Sequence, residues 1–154
     1  MKKTIILLVA ICYSFEFQAQ TPTQTKSDKI EWWTNAKFGM FIHWGLYSQT
    51  AGYWNGHKAK GSEHFMIHEQ IPLKEYAKIA TEFNPIHYDA EKWVLIAKNA
   101  GQKYIVITAK HHDGFAMFDS PSNNYNIKRI TPFAKDPMKE LVDACHKHGI
   151  KFGF

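Results

Sequence analysis

Three short apolar runs, separated by segments with helical spacing, constrain the fold of this chain more than any other feature. The runs lie at residues 38–42, 104–108 and 150–154, and the middle one is rich in β-branched side chains. The first run is nearly continuous, which predicts a strand buried on both faces. Strands that alternate with helices build βαβ units on a parallel sheet, so the sequence predicts an α/β fold.

Apolar residues recur at helical spacing in three segments, 73–83, 90–100 and 136–148. Asp89 caps the second of these helices, and Gly101 and Gly149 follow the ends of the second and third. Three strands form only an open sheet, whereas a closed (β/α)8 barrel takes about 250 residues. We therefore expect this chain of 154 residues to be the front portion of a longer protein, holding the first strands and helices of an incomplete (β/α)8-like (TIM) barrel.

The first twenty residues have the pattern of a secretory signal. Lys2 and Lys3 precede an apolar run at residues 5–13, which is too short for a membrane-spanning helix of about 20 apolar residues. The alternative is a buried helix or a membrane anchor. We predict a signal peptide at 1–20, a polar linker at 21–30 and the catalytic-domain portion at 31–154, in a protein exported to a periplasm, a cell surface or the medium, with no membrane span.

Charge and cysteine content exclude several classes of protein. The 19 basic and 14 acidic residues are interspersed, so no basic stripe for nucleic acid is present. Cys12 leaves with the predicted signal, and Cys145 then stands alone on the apolar face of a predicted helix. We expect Cys145 to be an inert buried thiol that forms no internal disulfide.

Histidines stand just past the ends of two of the predicted strands. His43 comes after the first strand, and His111 and His112 come after the second. In βα folds the carboxyl ends of the strands carry the functional site. Neutral imidazoles both donate and accept hydrogen bonds, which suits a ligand with several hydroxyl groups. We therefore predict a binding site for such a ligand at this rim.

Aromatic residues lie in the long loop after the first strand. Trp44, Tyr47, Tyr53 and Trp54 stand among glycines and asparagines, where they either contact the apolar side of a sugar ring or pack in the core. Of these four, we predict Trp44 and Trp54 as substrate contacts. Glu63 lies in the same loop, and its spacing alone favours an ordinary surface carboxylate.

A metal site is the rival interpretation of the histidines. His43, one of His111 and His112, and Asp113 could supply the three ligands of a catalytic zinc. However, the sequence has no His-x-His on the first strand and no His-Glu-x-x-His on a helix. Adjacent histidines at a strand end also tend to point to opposite sides. We therefore predict neither a metal nor another cofactor.

Two sequence blocks resemble the α-L-fucosidases of glycoside hydrolase family 29. They are WTNAKFGMFIHWG at residues 33–45 and KYIVITAKHHDGF at 103–115, and the weaker block KHGIKFG at 147–153 is similar to the third strand of that family. The resemblance covers nearly all of residues 31–154. It implies a (β/α)8-like catalytic domain followed by a β-sandwich.

The resemblance also implies a retaining exo-glycosidase that removes terminal α-L-fucose from glycans or glycoconjugates. His43, His111 and His112 match histidines that bind fucose hydroxyls, and Glu63 matches a sugar-contacting glutamate. His64 stands where family members often have tryptophan.

Retaining hydrolysis takes two carboxyl groups about 5–5.5 Å apart. The resemblance places the nucleophile and the acid/base beyond Phe154, and it leaves Asp113 as a turn residue that orients the histidines. Two other functions stay open, a non-catalytic sugar-binding remnant and a metal-dependent barrel hydrolase. Neither the fucosyl linkage nor the oligomeric state follows from the sequence.

Overall fold

The structure, a computed structural model, describes residues 26–154. The predicted signal peptide and the first half of the predicted linker therefore lie outside the described residues. Residues 26–30 of that linker belong to a helix, which places Trp32 and Trp33 against the ring of Tyr104. Within residues 26–154, no helix combines the length and the apolar character needed to cross a membrane.

The described part of the chain alternates helices with short strands. In chain order the elements are α1 (Lys26–Ala36), β1 (Met40–Ile42), β2 (Tyr53–Trp54), β3 (His57–Lys58), α2 (Phe65–His68), α3 (Leu73–Tyr76), α4 (Ala90–Asn99), β4 (Tyr104–Ile107), α5 (Ile127–Ile130), α6 (Pro137–His148) and β5 (Lys151–Gly153). Three-residue 3-10 helices at Leu46–Ser48 and Ser62–His64, and a longer one at Ala77–Thr81, complete the description.

The main sheet is parallel and has the strand order β1–β4–β5. Ile42 is paired with Ile107, so the carboxyl ends of β1 and β4 lie side by side. Ile105 lies opposite Phe152 on the other edge of β4. These are the three strands that the apolar runs predict, and the α/β fold with a parallel sheet is confirmed.

Helices α4 and α6 pack against each other and cover one face of this sheet. Ile105 and Ile107 point into that core and are buried, whereas Phe41 on the other face is 64% exposed. Within residues 26–154, the first strand is therefore covered on one face only, and its burial on both faces stays a prediction for the longer protein. An apolar groove of about 670 Å³ lies beside β4 and is lined by Phe41, Val106 and Met138, among others.

The predicted helix boundaries hold for the two long helices. Asp89 accepts a hydrogen bond from the backbone N–H of Lys92 and so caps α4, and Asp136 caps α6 through Lys139, both at 3.0 Å. The helix predicted at 73–83 instead changes after Tyr76 from an α-helix to a 3-10 helix. Tightening of this kind is common near a helix end.

The long loop predicted after the first strand contains a β-hairpin. Strands β2 and β3 are antiparallel and are joined by Asn55 and Gly56, which have φ angles of 46° and 80°. Two left-handed residues in sequence make a type I′ turn, for which Asn-Gly is the preferred pair. The Asn55-Gly56 dipeptide is therefore the signal in the sequence from which the hairpin could have been predicted.

Cys145 lies on the buried face of α6 with no exposed surface. Burial raises the pKa of its thiol to about 11, so the thiol is protonated and unreactive at neutral pH. The prediction that this thiol is buried is confirmed.

Candidate functional site

Four imidazoles and one carboxylate gather at the carboxyl ends of β1 and β4. We call this group the rim cluster, and it consists of His43, Glu63, His64, His111 and His112. Ring centroids lie 5.5 Å apart for His43 and His111, 5.2 Å for His64 and His111, and 4.3 Å for His64 and His112. The structure therefore brings together four of the six residues predicted to bind substrate, and it adds His64.

The pairing of the strands explains why residues so distant in sequence meet. The N–H of Thr108 donates to the carbonyl of Ile42 at 3.0 Å, which extends the register of β1 and β4 up to the rim. The hydroxyl oxygen of Thr108 accepts from the N–H of Trp44 at 3.2 Å and lies 3.1 Å from the hydroxyl of Tyr47. These two contacts of the Thr108 hydroxyl connect the start of the loop after β1 to the end of β4.

A buried carboxylate shapes the turn that carries His111 and His112. Asp113 is 5% exposed and accepts hydrogen bonds from the N–H of Phe115 and from the hydroxyl of Tyr76, each at 3.0 Å. Burial raises the pKa of Asp113, and the two hydrogen bonds oppose that rise. Both carboxylate oxygens accept hydrogen bonds from residues outside the rim cluster. Asp113 therefore holds the turn in shape, which agrees with the role expected from the sequence.

Tyr76 is a positioning residue that the sequence pattern did not reveal. Its side chain is fully buried, and its ring lies against Phe65 at 5.3 Å. The spacing of the segment at 73–83 identified Tyr76 only as an apolar helix residue. Nothing in that local pattern pairs its hydroxyl with a carboxylate 37 positions away.

His111 occupies the centre of the rim cluster, and its environment lowers the pKa of its ring. Desolvation lowers its pKa, and the neighbouring His112, His64 and His43 lower it further. At neutral pH the ring is therefore uncharged, with one nitrogen to donate and one to accept. Its Nδ1 atom is buried and has no hydrogen-bond partner among the described residues.

Glu63 reaches the rim from a short 3-10 helix, Ser62–His64. A hydrogen bond from its own backbone N–H lowers the pKa of its carboxyl, and His64, His43 and His111 lower it further. Its Oε1 lies 3.4 Å from Nδ1 of His64. Glu63 therefore brings a negative charge and two acceptor oxygens into the rim cluster.

The two tryptophans predicted to contact substrate pack against other aromatic rings. Trp44 stacks on Tyr88 at 5.1 Å and meets the edge of Trp93 at 5.2 Å. Trp54 lies 5.8 Å from Phe65. Both side chains adjoin the hydrophobic core, so these contacts favour the packing alternative for both residues.

Two overlapping groups of side chains in the rim cluster have metal-ligand spacing. In His64, His111 and His112, and likewise in His43, Glu63 and His111, the candidate ligand atoms all lie within 4.8 Å of one another. Asp113 belongs to neither group. The argument that adjacent histidines point apart is wrong here, because His111 and His112 lie in a turn rather than on a strand, and their rings are 4.7 Å apart.

The rim cluster can bind a polyhydroxylated ligand through several imidazoles and one carboxylate. It does not contain a pair of carboxyl groups, which hydrolysis of a glycoside with retention requires. Among residues 26–154, the other carboxylate near the rim is Asp113, and its oxygens are occupied by Tyr76 and Phe115.

A family model described as alpha-L-fucosidase matches residues 8–154 of the chain. The tissue alpha-L-fucosidases of mouse and rat are 35% and 37% identical to it over 130 residues. These alignments cover 79% of this chain but only 28% of each relative. The chain therefore spans little more than a quarter of the curated relatives it matches.

Solved structures agree with this match. The alpha-L-fucosidase AlfC of Lactobacillus casei is 48% identical with a TM-score of 0.79, over 82% of this chain and 39% of that enzyme. A bacterial fucosidase solved with an iminocyclitol inhibitor is 34% identical, also with a TM-score of 0.79. The chain belongs to the α-L-fucosidase family, glycoside hydrolase family 29, and its parallel sheet matches part of the TIM-barrel domain of these enzymes.

Proposed function

From membership of the α-L-fucosidase family, we propose that the protein containing this chain is a retaining exo-α-L-fucosidase. In this proposal the chain supplies the first strands of the barrel and half of the fucose pocket. The family resemblance places the catalytic carboxylates beyond Phe154, and we propose on that ground that the chain by itself does not hydrolyse fucosides. The rim cluster is the observation that carries the proposal.

The geometry of the rim cluster suits a single fucose ring. His43 and His111 stand on neighbouring strand ends with ring centroids 5.5 Å apart, and the neutral ring of His111 offers both a donor and an acceptor. The anionic Glu63 accepts from hydroxyl groups beside them. These roles for His43, Glu63, His111 and His112 are the ones that the family resemblance implies.

The substrate class follows from what related enzymes bind. AlfC has been solved with its α-L-fucose product, and a mutant of AlfC with Fuca(1,6)GlcNAc. We infer that the present protein likewise acts on fucosylated glycans or glycoconjugates and needs no cofactor for the reaction.

The test is hydrolysis of 4-nitrophenyl α-L-fucoside by the full-length protein and by its His111→Ala variant. If the hydrogen bond from His111 strengthens in the transition state, kcat/KM falls about 100-fold. His87 is exposed and lies outside the rim cluster, so His87→Ala serves as the matched control with unchanged kcat/KM. Equal rates for the wild type and His111→Ala would remove His111 from the site.

The same assay separates the two other functions. A sugar-binding remnant binds L-fucose in calorimetry but releases no nitrophenol at full length. A metal-dependent hydrolase loses activity when it is dialysed against a chelator, whereas a fucosidase that works with two carboxyl groups does not.

We also propose that the protein is exported and that residues 1–20 are removed as a signal peptide. N-terminal sequencing of the protein from the exported fraction of its host should then start near Thr21. An unprocessed N-terminus on protein retained in the cytoplasm would contradict this.

A further inference from the structure

We propose that His64, His111 and His112 form a binding site for a zinc ion, and that zinc bound there blocks the fucose pocket. The ion-binding part of this inference stands on geometry alone, and the blocking part rests on the proposed function. Zinc here is an inhibitor of the site rather than a participant in hydrolysis.

The first support is the number and spacing of the ligands. Three imidazoles are a known ligand set for Zn²⁺ when one coordination position stays open. Their candidate ligand atoms already lie within 4.8 Å of one another, whereas tetrahedral coordination with bonds of 2.0–2.1 Å puts ligand nitrogens about 3.3 Å apart. His112 is exposed and the side chain of His64 is 37% exposed, so both rings have room to turn inward.

The second support is the surroundings of these rings. Glu63 lies 3.4 Å from Nδ1 of His64, and histidines that bind a metal usually have a carboxylate or another acceptor beside their other ring nitrogen. The buried Nδ1 of His111 has no partner among the described residues. An ion bound through this nitrogen would give it a partner.

The overlapping group of His43, Glu63 and His111 is the competing location for an ion. It places one carboxylate among two imidazoles, whereas the group around His64 offers three imidazoles, the ligand type that suits zinc. His111 belongs to both groups, so one ion fills only one of them. His111 and His112 also face the sugar in the proposed function, so zinc and fucose exclude each other.

Calorimetric titration of the full-length protein with Zn²⁺, without sugar, tests the site directly. We expect one ion per chain and no binding of Mg²⁺, which prefers oxygen ligands. His64→Phe keeps a planar ring without a ligand nitrogen, and we expect it to weaken zinc binding by about 100-fold. His64→Gln should behave alike, and the exposed control His87→Phe should bind zinc as the wild type does.

The possible results distinguish zinc binding at the three histidines from competition between zinc and fucose. Zinc binding that survives in both His64 variants, or that is lost in His43→Phe and retained in His64→Phe, overturns the site. If the site holds, 10 mM L-fucose should raise the apparent Kd for zinc, and zinc should inhibit nitrophenyl fucoside hydrolysis in the wild type more than in His64→Phe. Zinc binding that fucose leaves unchanged overturns the blocking. Because calorimetry needs no turnover, a protein without fucosidase activity still shows whether these three histidines bind zinc.

Discussion

The two loops that build the rim cluster differ in the side chains that they bury. The first loop, residues 43–68, follows β1 and carries Glu63 and His64. Its buried side chains are Leu46, Tyr47 and Phe65. The second loop, residues 108–126, follows β4 and carries His111 and His112. It buries three polar side chains, Asp113, Ser120 and Asn126, besides the apolar Phe115, Ala116 and Met117.

Two buried side chains of the second loop, Asp113 and Asn126, form several hydrogen bonds. Asp113 accepts from Phe115 and Tyr76, and Asn126 donates to the carbonyl of Asn123 at 2.9 Å and accepts from the N–H of Arg129 at 3.0 Å. Apolar contacts hold a segment in place without fixing its direction, whereas hydrogen bonds lose strength steeply with angle. We therefore expect His111 and His112 to be oriented more tightly than Glu63 and His64.

The largest stability change is expected from Phe65→Ala in the first loop. Phe65 is 1% exposed and packs between Trp54 and Tyr76. Removing a buried phenylalanine side chain lowers the free energy of unfolding by about 3–5 kcal/mol. Urea unfolding of the full-length protein measures this, with the 57% exposed Ile67 changed to alanine as the control. If the two variants have the same midpoint, Phe65 is not the anchor of the first loop.

A smaller stability change but a larger effect on sugar binding is expected from Asp113→Ala. The variant leaves the N–H of Phe115 and the hydroxyl of Tyr76 unpaired in a buried place, at a cost of about 2–3 kcal/mol. Because this carboxylate shapes the turn that holds His111, the affinity for L-fucose should fall further than in Phe65→Ala.

Calorimetry with L-fucose on both variants checks this order, and Asp143→Ala, which changes an exposed aspartate, is the control. If Phe65→Ala weakened fucose binding more than Asp113→Ala did, the difference between the loops would be contradicted. Retained affinity in Asp113→Asn, which keeps an acceptor oxygen, would assign the effect to the hydrogen bonds rather than to the charge.

The sequence predicted those features that depend on neighbouring residues. The three strands and helices α4 and α6 follow from local apolar spacing, and the cap of α4 follows from Asp89. The rim position of His43 and His111 follows from strand ends in a parallel sheet. For these features the secondary structure favoured by neighbouring residues is the same as the one that packing in the folded chain requires.

The remaining features depend on contacts between distant residues. Tyr76 and Asp113 are 37 positions apart, and no spacing rule connects them. Phe41 has the same local pattern as a strand residue buried on both sides, yet its exposure is decided by what covers that face of the sheet. The approach of His111 to His112 depends on a turn whose shape is fixed by Asp113, so strand alternation gave the wrong orientation.

A smaller change in the free energy of unfolding is expected from a substitution in the turn of the hairpin in the first loop. Gly56 has a φ of 80°, and an added Cβ would meet no atom within 4 Å. Gly56→Ala should therefore cost only the left-handed conformation, about 1–2 kcal/mol, measured by urea unfolding. Gly153→Ala is the control, because its Cβ would make an ordinary 3.9 Å contact with Val106. Equal stability of the two variants would show that the turn tolerates another conformation.

The smallest effect is expected in the helical layer below both loops, at Glu91 of α4. Lys147 and His148 of α6 donate to its carboxylate at 2.7 and 2.8 Å and lower its pKa. A carboxyl group with a lowered pKa in the folded chain adds stability above the unfolded pKa of about 4.3, and that stability is lost as pH falls through the folded pKa.

Glu91→Gln should therefore lower the Tm slightly at pH 7, and the two proteins should converge as pH falls below about 4. The exposed Glu82→Gln is the control, with the same Tm as the wild type at both pH values. Because Glu91 touches neither loop, its variant should bind L-fucose with unchanged affinity. A loss of affinity in Glu91→Gln would mean that the helical layer, and not only the second loop, sets the direction of the rim histidines. Unchanged affinity together with a loss in Asp113→Ala would assign that direction to the buried carboxylate.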